Sequence, residues 1–166
     1  MSEKVVFPPG KLPLEFLQTL LQNFTRSDAR LVTGPRIGED VAVIDMGDRY
    51  MVVKTDPITF ATDEIGWYAV NVNANDIATS GGRALWMLNT VLLPEKKTSP
   101  DLVRAIFEQL HEACEELDIT LVGGHTEVTI GLDRPIIMGV LIGEVPRDEL
   151  ITTAGGQVGD RVLLVK

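Results

Sequence analysis

The spacing of apolar positions predicts three helices along the chain. Leucine and phenylalanine side chains recur at helical spacing over residues 12–24, and a second helical pattern covers residues 65–79. A third helix is predicted from Pro100, because Ser99 suits an N-cap and proline suits the first turn. Each pattern leaves one apolar side, which must pack against another element to be stable.

Short apolar, β-branched runs predict the strands. Residues 41–45 and 50–56 are separated by four turn-forming residues and predict a hairpin, whereas the polar segment 26–38 predicts a loop. Hairpins and crossover helices together predict an α+β fold, in which a mostly antiparallel sheet carries helices on one face. Four further strands are predicted, at residues 84–93, 119–125, 135–145 and 160–166.

Composition and charge limit the classes of partner. The 166 residues fit one domain, and a net charge of −9 argues against binding to nucleic acid or to anionic membrane. The N-terminus lacks the pattern of a signal peptide, and the apolar stretches are too short to cross a bilayer. We therefore expect a cytoplasmic protein. The single cysteine, Cys114, lies in a helical pattern and is expected to be a buried apolar residue rather than a nucleophile.

The stretch "NVNANDIATSGG" places poor helix formers inside the second predicted helix. Asn71, Asn73, Asn75 and Asp76 each cost up to about 0.7 kcal/mol there relative to alanine. Helical spacing places Asn71 and Asn75 on one side, with Asp76 one step round from Asn75. Such a side can bind a ligand, because amides can share a metal or a ribose with a nearby carboxylate. The opposite side is a predicted core stripe of Val70, Ala74, Ile77 and Ala78.

Three other motifs combine polar groups with sharp turns. Residues 38–40 read "GED" before a strand, Asp56 ends a strand before Pro57, and residues 123–127 read "GGHTE". Carboxylate ligands without paired histidines or several cysteines suit Mg²⁺ rather than zinc, and paired glycines let a backbone approach a phosphate. Taken singly, each motif is equally explained as a turn, a cap or a solvated loop. No Walker A or G-x-G-x-x-G motif is present.

The four motifs in this order resemble a known family. "GEDVAVI", "KTD", "NANDIATSGGRALWML" and "VGGHTEV" are similar, in sequence and spacing, to the N-terminal domain of the AIR synthase-related (PurM-like) superfamily. That group includes aminoimidazole ribonucleotide synthetase, thiamine-monophosphate kinase, selenophosphate synthetase and HypE, the hydrogenase-maturation protein whose type this chain resembles most. The resemblance implies an N-terminal helix and loop over residues 1–37. It implies an ATP-binding domain over residues 38–166, with the C-terminal domain absent.

The resemblance also implies a function and a set of site residues. The family domain dimerises by joining sheets, binds ATP and Mg²⁺ near the dimer interface, and phosphorylates or activates a small substrate. Asp40, Asp56 and Asp76 resemble the Mg²⁺ ligands of that site. The implied nucleotide contacts are Asn73, Asn75, Gly123, Gly124, His125 and Thr126, with Lys11 as a phosphate contact.

The chain departs from the family pattern in three places. The glycine-rich N-terminal segment of several members is missing, and "FPPGK" offers only Lys11 as a phosphate contact. Family members carry Gly-Asp-Thr where residues 124–126 read Gly-His-Thr, so one acidic ligand is either missing or replaced by Glu127. Members also continue into a second α+β domain, which would start where this chain ends, so independent catalysis stays open. The leading hypothesis is an ATP/Mg²⁺-binding, dimer-forming domain. The alternatives are a non-catalytic dimerisation or partner-binding module and a purely structural domain.

Overall fold

A computed structural model describes residues 6–164 of the chain. Its helices and strands fall close to the predicted positions, and α2 has the predicted bounds. In chain order the elements are α1 (Leu14–Phe24), β1 (Leu31–Thr33), β2 (Ala42–Asp45), β3 (Arg49–Ile58), α2 (Ile65–Thr79), β4 (Arg83–Pro94), α3 (Pro100–Glu116), β5 (Thr120–Thr129) and β6 (Ile136–Pro146).

The six strands form one sheet in the order β1-β2-β3-β6-β4-β5. Neighbouring strands are antiparallel, except that β4 and β5 are parallel. The parallel pair follows from α3, since a helix that leads from one strand to its neighbour returns the chain to the same end of the sheet. The predicted α+β fold with a mostly antiparallel sheet is therefore confirmed.

The core lies between one face of the sheet and the helices α2 and α3. Val52, Met87 and Leu141 reach it from three adjacent strands, and Ile77 and Leu110 meet them from the helices. The two helices approach closely at Gly66, where an added Cβ would lie 2.7 Å from the carbonyl oxygen of Ile106. Cys114 is buried in the same core, as predicted.

Two predictions of secondary structure are wrong. Residues 31–33, predicted as loop, form β1, in which Leu31 and Thr33 pair with β2. Three residues are too few to show the alternation that predicts a strand. Residues 160–164 form no strand, and residues 165–166 lie outside the described part. The apolar side chains of residues 162–164 are 83–98% exposed. Because no neighbouring strand pairs with this run, its backbone cannot join the sheet.

The helix α1 is set apart from the sheet. It has an apolar side, yet none of its residues is buried, and it packs against no other helix or strand of the described chain. Within residues 6–164, no helix combines the length and the apolar composition that a membrane crossing requires.

Candidate functional site

Three aspartates from different elements surround the ammonium group of Lys54. The Lys54 Nζ lies 2.7 Å from Asp76 Oδ2, 3.4 Å from Asp56 Oδ1 and 3.9 Å from Asp40 Oδ1. The Lys54 side chain is only 8% exposed, whereas Asp76, Asp56 and Asp40 are 23%, 42% and 64% exposed. These four side chains, here called the Lys54 cluster, form an acidic rim around a buried cation.

The alternation of β3 explains why lysine occupies the centre. Val52, Lys54 and Asp56 point to the helix-covered face, because successive strand residues alternate between faces. Burial alone lowers the pKa of Lys54, but the hydrogen bond to Asp76 and the charges of Asp56 and Asp76 outweigh it. The pKa is therefore raised above its usual value, and the ammonium stays charged at neutral pH.

Asn73 fixes the backbone of Asp56. The Asp56 N–H donates to Asn73 Oδ1 at 2.8 Å, and Asn73 Nδ2 donates to the carbonyl oxygen of Ala69 at 2.8 Å and to that of Asp56 at 3.4 Å. Asn73 is fully buried, since helical spacing places it with Ala69, Val70 and Ile77 rather than with Asn75. Its amide thus positions a carboxylate of the cluster, and direct contact with a nucleotide stays a prediction.

The exposed side of α2 presents fewer ligand-binding side chains than the sequence predicted. Asn75 is exposed beside Asp76, while the Asn71 amide donates to the carbonyl oxygen of Trp67 at 3.1 Å. Ala78, which was predicted to lie in the core stripe, is exposed, because the buried face is shifted toward Asn73. The ligand-facing side of α2 therefore consists mainly of Asn75 and Asp76.

The two acids of "GED" separate at the start of β2. The Glu39 carboxylate is 6% exposed and accepts a hydrogen bond from Arg36 Nη2 at 2.6 Å, so its cationic partner is Arg36 rather than Lys54. Burial raises the pKa of Glu39, but hydrogen bonds from Arg36 and Thr153 overcome this and lower it. Asp40 alone joins the Lys54 cluster from this turn.

The "GGHTE" motif lies on a different part of the sheet. It belongs to β5, which is three strand positions from β3, a separation of about 14 Å at the usual strand spacing. Cross-strand pairing aligns Asp56, Gly139, Asn89 and Gly124 on the helix-covered face. His125 follows Gly124 and points to the other face. There its Nε2 lies 3.1 Å from Glu127 Oε2.

The remaining predicted contacts lie on other elements than the Lys54 cluster does. Gly123, Gly124 and Thr126 lie on the exposed strand β5, and Lys11 lies in the exposed segment before α1. Lys11 makes no ion pair with any residue in the described range. The structure thus brings together Asp40, Asp56 and Asp76, and it places the β5 residues on a strand that is not adjacent to β3.

The cluster suits a divalent cation in chemistry but not in arrangement. Carboxylate oxygens are the ligands that Mg²⁺ prefers. Among residues 6–164, however, no three acidic, histidine or cysteine side chains converge closely enough to hold a metal ion. The ammonium of Lys54 lies between the carboxylates instead, so a divalent cation must displace it from Asp76 before all three acids can share one ion.

Sequence reasoning missed Lys54, the central residue of the site. The available signal was a lysine inside the apolar run "YMVVKTD", two positions before the predicted ligand Asp56. Period-2 alternation puts these two residues on one face, and a buried lysine needs a carboxylate partner.

Comparison with known proteins identifies relatives over nearly the whole chain. A putative hydrogenase expression/formation protein of Methanocaldococcus jannaschii is 29% identical over 161 residues, 93% of this chain and 48% of the relative. The selenide, water dikinase of Escherichia coli K12 is 28% identical over 162 residues, 94% of this chain and 46% of the relative. The chain therefore spans about half the length of these curated relatives.

Solved structures share the fold. The structure of AaThiL complexed with AMPPCP and TMP matches with a TM-score of 0.69 at 22% identity, over 88% of this chain and 44% of that one. Hydrogenase maturation protein HypE in complex with ATP matches with a TM-score of 0.54 at 23% identity, over 81% and 36%. The family model for the N-terminal domain of AIR synthase related proteins matches residues 38–145. The chain belongs to the AIR synthase related protein family and contains its N-terminal domain.

Proposed function

We propose that this chain is the ATP-binding, dimer-forming part of a HypE-like, ATP-dependent enzyme that phosphorylates or activates a small substrate. The observation that carries the proposal is the Lys54 cluster, where three motif aspartates from separate elements meet at one point. The solved relatives with ATP or AMPPCP bound support the choice of ligand.

In the proposed complex, Lys54 and the aspartates act on the phosphate groups. Mg²⁺ bound to the β- and γ-phosphates would neutralise the charge that develops during phosphoryl transfer. Lys54 would contact a phosphate oxygen, and Asp40, Asp56 and Asp76 would hold the cation that accompanies the nucleotide. Asn73 keeps Asp56 in place throughout, because its hydrogen bonds involve only backbone atoms and not the carboxylate.

A homodimer is part of the proposal, because one face of the sheet is apolar and uncovered by helices. Val53, Ile142 and Trp86 form one cross-strand row on that face, with Val140 and Leu88 in the next row. Trp86 is 39% exposed, and the other four side chains are half-buried. Joining two such faces would cover them, and it would bring His125 and Glu127 to the subunit interface.

The shape of the cluster also favours a site shared with a second domain. The cavity beside Asp40, lined by Thr79 and Thr153, holds only about 70 Å³. Small-molecule pockets usually hold 300 Å³ or more, so a nucleotide needs further walls, which a second domain would supply.

The test is calorimetric titration of ATP, with and without Mg²⁺, into the wild type and into Asp56→Asn and Asp76→Asn. We expect Mg²⁺-dependent binding that falls at least tenfold in both variants, while circular dichroism shows intact folds. Asp101→Asn, at the exposed start of α3, is the matched control and should bind as the wild type does. Equal binding by all four proteins would contradict a nucleotide site at the cluster.

A second candidate function is a non-catalytic dimerisation module. The occupation of the acidic cluster by Lys54 favours it, because an internal cation satisfies the carboxylates without a metal or nucleotide. Wild-type protein that dimerises but binds no ATP under any metal condition would support the module over the enzyme.

A further inference from the structure

A buried amide on β4 lacks a partner. Asn89 is 5% exposed, and neither its Nδ2 nor its Oδ1 finds a hydrogen-bond partner among residues 6–164. A carboxamide offers two N–H donors and one acceptor in a single plane. Most buried side-chain amides in folded proteins are satisfied, so an unsatisfied one calls for a physical reason.

Asn89 lines a groove between α3 and the β4–β5 pair. The groove holds about 400 Å³, which is within the usual range for small-molecule sites. Gly124 allows β5 to run close beside this position, since an added Cβ would lie 2.0 Å from the Asn89 carbonyl oxygen. The walls are mainly apolar, with contributions from Val91, Phe107, Leu110 and Leu121.

The groove is separate from the Lys54 cluster. Gly139 lies between Asp56 and Asn89 in the same cross-strand row. An added Cβ on Gly139 would lie 2.8 Å from Asn73 Nδ2 and 3.2 Å from the Ala69 carbonyl oxygen, so α2 covers the space between the two sites. A ligand in the groove therefore does not contact the cluster across this face of the same chain.

We propose that the groove is a second binding site, for a small, uncharged, planar molecule with a carboxamide or cyclic-amide edge. An amide edge is the complement of the Asn89 side chain, because it can accept from Nδ2 and donate to Oδ1 at the same time. The Phe107 ring and the aliphatic walls suit a flat apolar ring. Ionised ligands are disfavoured because the one ionisable residue along the described lining, His125, turns its side chain to the opposite face of the sheet.

The test uses nicotinamide and methyl nicotinate, which share a ring and a similar shape but differ in the amide N–H donors. Each is titrated into ¹⁵N-labelled protein while the side-chain NH₂ signals of Asn89 are followed by NMR. Nicotinamide should shift those signals with a dissociation constant of about 1 mM or tighter, and methyl nicotinate should bind at least ~10-fold more weakly. Equal affinity for both compounds, or no shift from nicotinamide, would overturn the proposal.

Asn89→Leu provides an independent check of the unpaired amide. Replacing an unsatisfied buried amide by an apolar side chain of similar size should leave the thermal midpoint unchanged or raise it. The same variant should lose the preference for nicotinamide over methyl nicotinate. Asn23→Leu, at an exposed position of α1, is the control and should keep that preference. A marked fall in the midpoint for Asn89→Leu alone would show that the amide is bonded within the folded protein, and it would contradict the proposal.

Discussion

Replacing Lys54 by methionine should destabilise the fold, because three carboxylates then lose their shared cation. At an effective dielectric of about 20, the attraction between Lys54 and Asp76 at 2.7 Å is about 6 kcal/mol before desolvation is counted. Breaking a buried ion pair typically costs about 3–5 kcal/mol, and exposed pairs contribute about 0–1 kcal/mol. Lys54 is buried, but Asp56 and Asp40 are more than one-third exposed, so we expect a loss of about 2–3 kcal/mol.

The assay is urea denaturation at pH 7, followed by tryptophan fluorescence. Lys96→Met is the matched control, since that side chain is 86% exposed and should change the unfolding free energy by less than about 0.5 kcal/mol. In a double-mutant cycle, Asp76→Asn should remove more of the Lys54→Met effect than Asp40→Asn does. A Lys54→Met protein as stable as the wild type would refute the view that the ammonium stabilises the cluster.

The effect of Lys54→Met on stability should depend on pH in a direction that the shifted pKa of Lys54 determines. The pKa of Lys54 is raised in the folded protein above its ordinary value of 10.5, so the charged form favours folding. The contribution of Lys54 is complete below pH 10.5 and is lost as the pH rises through the higher folded-state value. The stability difference between wild type and Lys54→Met should therefore be constant from neutral pH to pH 9 and shrink only above pH 10.5.

Three further outcomes follow from the fold. Asn73→Ala should lower the unfolding free energy by about 2–3 kcal/mol in urea denaturation, because it leaves the Asp56 N–H unpaired, whereas exposed Asn75→Ala should have little effect. Burial raises the pKa of Cys114 to about 11, so a thiol reagent at pH 8 should label it only after unfolding. Rapid labelling of the folded protein would contradict the core position of Cys114. Val140→Glu should convert the proposed dimer to monomer in light scattering, whereas Leu117→Glu should not; a Val140→Glu dimer would refute an interface at this face.

The fold was largely predictable because most elements carry strong local signals. The α2 helix is followed by a Gly-Gly stop and carries a core stripe that includes Val70 and Ile77, and it was placed at its observed bounds. The strand β1 was not predictable, since three residues cannot display alternation and their pairing with β2 depends on the tertiary fold. The apolar residues 162–164 gave the opposite error, because local composition does not provide the neighbouring strand that a sheet requires.

Sequence motifs identified only some of the residues of the Lys54 cluster. Asp40, Asp56 and Asp76, singled out by motif, lie together around Lys54, which was overlooked, and their role as metal ligands stays a prediction. The lysine in the apolar run "YMVVKTD" was a local signal, but its partners Asp40 and Asp76 come from distant parts of the chain and cannot be read from that run. Asn73 shows a related difficulty, because only the packing of α2 on β3 decides which asparagine is buried.

Strand parity shows why the motifs do not assemble into one site within a single chain. Asp56 and Gly124 share the helix-covered face, so His125 and Glu127 necessarily lie on the opposite face. No side-chain rotation moves a residue through a sheet, and β5 is also three strand positions away. A partner that packs on the uncovered face also lies on the far side of the sheet from the Lys54 cluster, so its His125 and Glu127 do not reach a nucleotide held there. Val140→Glu should therefore abolish dimerisation without lowering Mg²⁺-dependent ATP affinity at the cluster.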